Sequence, residues 1–259
     1  MTRFVPRPRG SRADVVSYEP EQRVVFAALR SGWLSQTFVH WAYEPEQVQP
    51  LLPDGLEVDV FERAAWVSLT PFVMARVRPW GVPGDGRTFL ETNLRTYVRR
   101  PDRSCGLWFL SLEVDCAAML AARAVGVPYH LGRLGLSRQG GALAYTGRRN
   151  GEGVSYRLAV RPGARITSTA LDIWLTSRWR AYTRRLGALW QTPVEHRPWP
   201  LREATLDSLH ETLTGAAGLP APRDEPLVRF SDGVEPVHLG LSRPASALAP
   251  GGRSSSATA

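Results

Sequence analysis

The sequence predicts a β-rich α+β fold: a closed or strongly curved antiparallel sheet carrying a few inserted helices. Three observations lead there. Short β-type runs, several of them alternating apolar and polar residues, recur along most of the 259 residues, bounded by turn-forming Gly and Pro. Stretches with helical periodicity are few. The composition, 43% hydrophobic with 23 Gly and 21 Pro, is that of a globular chain able to bury a sizeable core without disulfide or metal support.

The elements follow in order. Residues 1–25, rich in Arg, Pro and Glu, read as a flexible arm. Pro45 to Leu52 has room for two helical turns. Leu56 to Phe61 alternates as a strand does, and Ala65–Leu69 and Phe72–Val77 continue the pattern, with Pro71 marking a bulge or an edge. Thr92–Val98 and Leu107–Val114 are further strands. Asp115 can cap a helix over Cys116–Val125 that closes at Gly126 before Pro128. Strands over Leu131–Leu136, Leu143–Gly147 and Val154–Val160 come next. Thr169-x-x-Asp172 has the form of a capping box opening a helix over Ala170–Leu186, with Leu171, Trp174, Leu175, Arg178, Tyr182 and Leu186 roughly on one face. Ala188–Val194 reads as a strand, Glu203–Thr214 as a third helix ended by Gly215 and Gly218, and Val228 and Val237 mark a last short strand pair. Residues 242–259, mostly Ala, Ser, Gly and Pro, read as a disordered tail. About ten strands and three helices fit one domain over 26–241.

Every one of the 32 basic residues is arginine. Without lysine there is no side-chain amine for a Schiff base, for anchoring pyridoxal phosphate, or for a Walker-type phosphate loop. Residues 123–202 hold 14 arginines against three acids, a surplus of +11, whereas 1–122 balance and 203–259 are acidic. Such a block could attract an anionic surface. Its arginines are dispersed over several segments, however, so a solvated arginine-rich surface is favoured over nucleic-acid binding. No stretch approaches the roughly 20 apolar residues of a membrane span, and no apolar leader follows Arg3, Arg7 and Arg9. A cytoplasmic location is the default. Cys105 and Cys116, and the five histidines, lack metal-ligand spacing, so neither a metal nor a cofactor is expected.

Three segments set polar groups among apolar neighbours. In Phe38-Val39-His40-Trp41, the imidazole beside Trp is a ligand contact or, more commonly, a hydrogen-bonded core residue. Along Phe89 to Tyr97, a strand would place Glu91, Asn93, Arg95 and Tyr97 on one face, which either meets solvent or lines a polar cavity. After the Asp115 helix, Arg123, Tyr129 and His130 could bind an anion and move protons, or simply pack. Glu195 to Leu201 is rigid and aromatic and reads as mainly structural.

The motifs His40-Trp41, Leu51-Leu52-Pro53-x-Gly55-Leu56, Ala65-Trp66-Val67 with Pro71-Phe72, Glu91-x-Asn93-x-Arg95-Thr96-Tyr97-Val98, Pro128-Tyr129 and His196-x-Pro198-Trp199-Pro200-Leu201 occur in this order. Together they resemble the YqjF-like family, a branch of the acetoacetate decarboxylase-like superfamily with no assigned reaction. The resemblance covers about Trp33 to Leu241. It implies a β-cone enclosing an apolar pocket with an arginine and glutamates at its base, and it allows a homo-oligomer. Asp115-x-x-x-Met119-x-x-x-Arg123 through Pro128-Tyr129-His130 is similar to the decarboxylase segment that carries the imine-forming lysine. Tyr129 and His130 stand where that lysine pair stands, Ala124 replaces an acid, and the gap from arginine to glycine is one residue shorter. Ser177 likewise stands where family members show an acid. Decarboxylation through an imine is therefore unavailable.

The combined expectation is a small-molecule protein with an enclosed pocket for an oxo-acid or a similar carboxylate or carbonyl compound. Glu91, Tyr129 and His130 are the candidate catalytic groups. Arg95, Arg123, His40 and Asn93 are the candidate substrate contacts. An imine-independent lyase, hydratase or isomerase, a non-catalytic ligand-binding module, and anion or nucleic-acid binding through 123–202 are the readings left open.

Overall fold

The computed structural model describes residues 16–245. Its strands are β1 (Ala27–Tyr43), β2 (Glu57–Val58), β3 (Val60–Phe61), β4 (Ala64–Pro79) and β5 (Arg87–Arg99). These are followed by β6 (Cys105–Val114), β7 (Tyr129–Gln139), β8 (Ala142–Arg149), β9 (Ser155–Arg165) and β10 (Arg180–Arg185). The last are β11 (Ala188–Glu195), β12 (Leu201–Glu211), β13 (Leu227–Gly240) and β14 (Arg243–Pro244). Three short α-helices, α1 (Pro45–Val48), α2 (Ala170–Thr176) and α3 (Leu213–Ala216), and two 3₁₀ segments complete the described residues.

Five long strands, in the order β13-β1-β4-β5-β6, form a shared wall. At each end of this wall the edge strand divides its partners. The C-terminal part of β6 pairs with β7 and its N-terminal part with β10; the N-terminal part of β13 pairs with β12 and its C-terminal part with β11. The path β7-β8-β9-β12 thereby closes over one face of the wall, and β10-β11 closes over the other. Closure of both paths leaves few unpaired edges. Pairing is antiparallel except at β6, where β7 and β10 run parallel to it. The link from β6 to β7 is a crossover through residues 115–128, the kind of connection a parallel pair requires.

Alternation along the wall strands sorts side chains between the two compartments. Val39, Trp41, Val67, Leu69 and Leu94 face Tyr145, Tyr156, Leu158 and Val160 of β8 and β9 in the larger apolar core. The opposite face carries Phe38, His40, Ser68, Arg95 and Tyr97, covered by α2 with Trp174 and by Trp179, His196 and Trp199.

Several elements differ from the sequence expectation. The Ala170–Leu186 helix stops at Thr176, and Arg180–Arg185 is a strand instead, because Tyr182 and Thr183 are drawn into pairing with β6 and β11. The capping box is present, with Thr169 Oγ1 accepting from the Asp172 amide at 3.2 Å. Glu203–Thr214 is strand β12 rather than a helix, its alternating burial matched to β9; only α3 remains helical at its end. Residues 117–125 form a 3₁₀ segment. Val228 and Val237 lie on one continuous strand, and Ala65–Leu69 joins Phe72–Val77. Pro71 pairs in regular register with Thr92 of β5, and the bulge opposite this part of β4 lies in β1, where five steps from Leu34 to Val39 face four from Val73 to Leu69. The described part of the expected N-terminal arm, residues 16–25, is held in place. Trp179 Nε1 donates to the Ser17 carbonyl at 2.8 Å, and the Gln22 amide donates to the Val194 carbonyl at 3.0 Å. The rest of that arm lies outside the described residues, as does the tail beyond 245; Arg243–Pro244 pairs with β11.

Candidate functional site

Strand β5 positions the site. Its pairing with β4 sets Glu91 opposite Phe72, Asn93 opposite Thr70 and Arg95 opposite Ser68, and β1 adds His40 on the far side of Ser68. Glu91, Asn93, Arg95 and Tyr97 therefore share one face, and all four are buried. This face meets no solvent. It lies under an aromatic cover in which Trp33 stacks on Trp199 with centroids 6.1 Å apart, and both contact His196. About 13 Å of strand separates the Cα atoms of Glu91 and Arg95, at some 3.3 Å per residue.

At one end stands Arg95. Its guanidinium lies over the Phe38 ring, 5.8 Å from the centroid. Among the described residues no carboxylate pairs with it, and its buried Nε has no hydrogen-bond partner. Burial lowers the pKa of this arginine, the neighbouring Tyr97 hydroxyl counteracts that, and the Arg178 charge adds to it. The other arginines of this compartment are matched: Arg178 pairs with Asp59 at 2.7 Å and Arg229 with Asp172 at 2.8 Å. Arg178 also lies over Trp174 and Tyr97, at 4.2 and 5.1 Å.

Beside Arg95, His40 Nδ1 is 2.6 Å from Ser68 Oγ, which is 2.7 Å from the Tyr97 hydroxyl. The far nitrogen of His40, Nε2, is buried and unpartnered, as is Oδ1 of Asn93. Burial, followed by the charges of Arg95 and Arg229, holds the His40 imidazole well below its ordinary pKa, so the ring is neutral. His196 is lowered to about 4, chiefly by burial. It also lines a surface cleft of about 510 Å³ shared with Gln22, Glu195, Arg197, Glu235 and His238.

At the other end, the Tyr129 hydroxyl donates to Glu91 Oε2 at 2.9 Å. Burial raises the Glu91 pKa to about 7 against the opposing pull of the Tyr129 bond, and raises Tyr129 well above 10, with Glu91 reinforcing that shift. A carboxyl and a phenol joined in this way can hold a proton near neutrality and pass it on.

The remaining candidates lie elsewhere. His130 follows Tyr129 on β7 and so points to the opposite side, opposite Glu113 in the β6 ladder. There it is half-buried near Arg149, which binds Glu113 at 2.6 Å and Ser111 at 2.8 Å. Arg123 is exposed on the 3₁₀ segment. The expected grouping of Arg123, Tyr129 and His130 is thus corrected: strand alternation and the 3₁₀ exit separate them, and only Tyr129 joins Glu91. Within the arginine-rich block, Arg149, Arg161, Arg178, Arg180 and Arg202 are paired with acids on different elements rather than gathered on one face. Ser68, Trp174, His196 and Trp199 were not among the candidates. Ser68 carried a signal, since it is a hydroxyl within an otherwise apolar strand run.

The wall closed on both faces by two strand paths has the acetoacetate decarboxylase-like fold. The chain superposes on an acetoacetate decarboxylase-like enzyme from Sphingomonas wittichii RW1 with a TM-score of 0.61 at 18% identity, covering 86% of this chain and 95% of that one. Acetoacetate decarboxylase from Legionella pneumophila gives 0.61 at 14% identity, with 87% and 90% covered. The enduracididine biosynthesis enzyme MppR, in its complex with pyruvate, gives 0.58 at 16% identity, with 87% and 93% covered. Within this fold the chain belongs to the DUF2071 family, described as "Uncharacterized conserved protein", whose model matches residues 30–235. A relative from Bacillus subtilis (strain 168), "Uncharacterized protein YqjF", is 33% identical over 211 residues, 78% of this chain and 87% of the relative. Among the described residues no helix is long and apolar enough to cross a membrane.

Proposed function

We propose that this protein binds a small carboxylate of the oxo-acid class on Arg95, beneath the aromatic cover, with Glu91 and Tyr129 as a proton-transferring pair further along the same face. The observation that carries this reading is the state of Arg95: buried, with no acid beside it among the described residues, while Arg178 and Arg229 each have one. A buried cation without a counter-ion costs several kcal/mol unless an anion completes it. A bound carboxylate would do so, and a guanidinium can take one bidentately. The fold supports the same class, since MppR is known in complex with pyruvate.

The reaction class follows from what the chain lacks. With no lysine, the substrate carbonyl cannot be held as a lysine imine. Glu91, neutral below about pH 7 and ionised above it, and the phenol that binds it suit proton transfer next to a carbonyl. An imine-independent lyase, hydratase or isomerase fits these groups. The test is a thermal-shift and calorimetric screen of pyruvate, longer oxo-acids and dicarboxylates against wild type and Arg95→Met. A ligand that stabilises only wild type is the expected result. Product formation from that ligand, lost in Glu91→Gln with the fold intact, assigns catalysis. Saturable binding without product makes the protein a ligand-binding module, and no binding by any carboxylate overturns the reading.

A further inference from the structure

The hydrogen-bond chain behind His40 determines which nitrogen carries its proton. Tyr97, Ser68 and His40 are all buried, and Ser68 stands between His40 and Arg95 on one rung of the wall. Tyr97 and Ser68 each have one hydroxyl proton, and neutral His40 has one N–H. Suppose His40 Nδ1–H donates to Ser68 Oγ. Ser68 then either donates to Tyr97, whose own proton is left with nothing to meet, or accepts from Tyr97 as well and has its own proton left over, because Ser68 and, at 3.5 Å, His40 Nδ1 are the partners of the Tyr97 hydroxyl. Either way two buried groups are unsatisfied, one hydroxyl proton and the bare Nε2. In the opposite sense, Tyr97 donates to Ser68, Ser68 donates to Nδ1, and the Tyr97 oxygen turns its lone pairs toward the Arg95 side. Only the proton on Nε2 lacks a partner, and each buried orphan avoided is worth about 1–3 kcal/mol.

We infer that Ser68 and Tyr97 hold His40 as its Nε2–H tautomer, so that this compartment offers a second buried donor beside Arg95 and takes a carboxylate with an adjacent oxygen acceptor, a 2-oxo acid, over the corresponding amino acid. This rests on the reading of Arg95 as a carboxylate anchor. Phe38 links the two donors: its ring is stacked on His40 at 5.9 Å with an 11° interplanar angle and carries Arg95 over it at 5.8 Å. A 2-oxo acid would satisfy both donors. Acetate would leave the His40 N–H empty, and the ammonium of an amino acid would meet two donors. Ser68 and Tyr97 act here as positioning residues.

Two measurements test this. Long-range ¹H–¹⁵N correlation on the ¹⁵N-labelled full chain at pH 7 is expected to show His40 as the single Nε2–H tautomer in wild type and as a mixture in Ser68→Ala or Tyr97→Phe. An Nδ1–H ring in wild type overturns the inference whether or not either variant folds. Calorimetry with pyruvate, acetate and L-alanine is expected to give pyruvate the tightest binding by about tenfold, the scale of one good hydrogen bond. Ser68→Ala should then weaken pyruvate in proportion to the His40 that leaves the Nε2–H tautomer, about twofold for an even mixture, and leave acetate unchanged. Equal affinity for pyruvate and acetate overturns the role of His40 but leaves Arg95 as anchor, whereas no binding of any of the three overturns the anchor itself.

Discussion

The Tyr129 hydroxyl donates to Glu91 Oε2 at 2.9 Å across the seam where β7 joins the wall, and this bond opposes the rise that burial imposes on Glu91. Tyr129→Phe should therefore push the Glu91 pKa above its value of about 7. A ¹³C-detected titration of the Glu91 carboxyl measures this directly, and an unchanged midpoint would show that burial alone sets it.

The same group makes stability depend on pH in a defined sense. Glu91 ionises near 4.5 in the unfolded chain and near 7 in the fold, so between those values unfolding releases a proton. Stability falls as pH rises through that window and levels off above it. Glu91→Gln should remove the penalty, making the variant more stable than wild type at pH 8 by up to about 3 kcal/mol, with a much smaller difference at pH 5. Urea unfolding of both proteins at the two pH values checks this, and a variant less stable than wild type at pH 8 would contradict a buried, reluctantly ionised Glu91.

How much of this was legible beforehand varies with the residue. The shared face of Glu91, Asn93, Arg95 and Tyr97 follows from strand period alone, because β5 is long and regular. Its burial does not, since the residues that cover it, Trp174, Trp179 and Trp199, come from segments far along the chain. Strand β1, which joins β13 to β4 in the wall, is not legible from local pattern: Gly32, Ser35 and Thr37 break its apolar alternation, and Ser35 has a φ of 49° at an irregularity in the ladder. Strand β12 mimicked a helix because Leu206 and Leu209 fall three apart, and a register shift between Leu206 and Ser208 restores the pleat. Local pattern could not decide that; pairing with β9 did.

Arg95 and Arg178 are both buried, yet their removal should have opposite consequences. Arg95 has no acid to leave behind, so Arg95→Met exchanges an unmatched buried cation for an apolar chain of similar length. The variant is expected to match or exceed wild type in Tm while losing every carboxylate-induced shift. Arg178→Met strands Asp59, which is itself buried, and should cost about 3–5 kcal/mol. Thermal melts of the two variants, with and without pyruvate, separate these cases. If Arg95→Met proves as damaging as Arg178→Met, Arg95 has a structural task and the anion site loses its main support.

Gly147 supplies a test of the larger compartment. A Cβ built there would lie 2.1 Å from Cε1 of the Tyr156 ring and 2.8 Å from its hydroxyl, in a backbone conformation any residue can adopt. The conflict is therefore purely steric, and Tyr156 cannot retreat freely, because it is buried among Tyr145, Leu158 and Val160 and its hydroxyl is bound to Thr92 Oγ1 at 2.6 Å. Gly147→Ala must displace the ring and lengthen that bond, which overpacking and the lost hydrogen bond together place at about 2–4 kcal/mol. Thr92 lies on the wall between Glu91 and Asn93, so the displacement reaches the back of the site strand. Gly147→Ala paired with Tyr156→Phe separates the two effects: removing the hydroxyl should relieve little of the clash, since the nearest contact is with the ring edge. A double variant as stable as Tyr156→Phe alone would show instead that the ring moves at no cost, and that β8 and β9 are looser than their packing indicates.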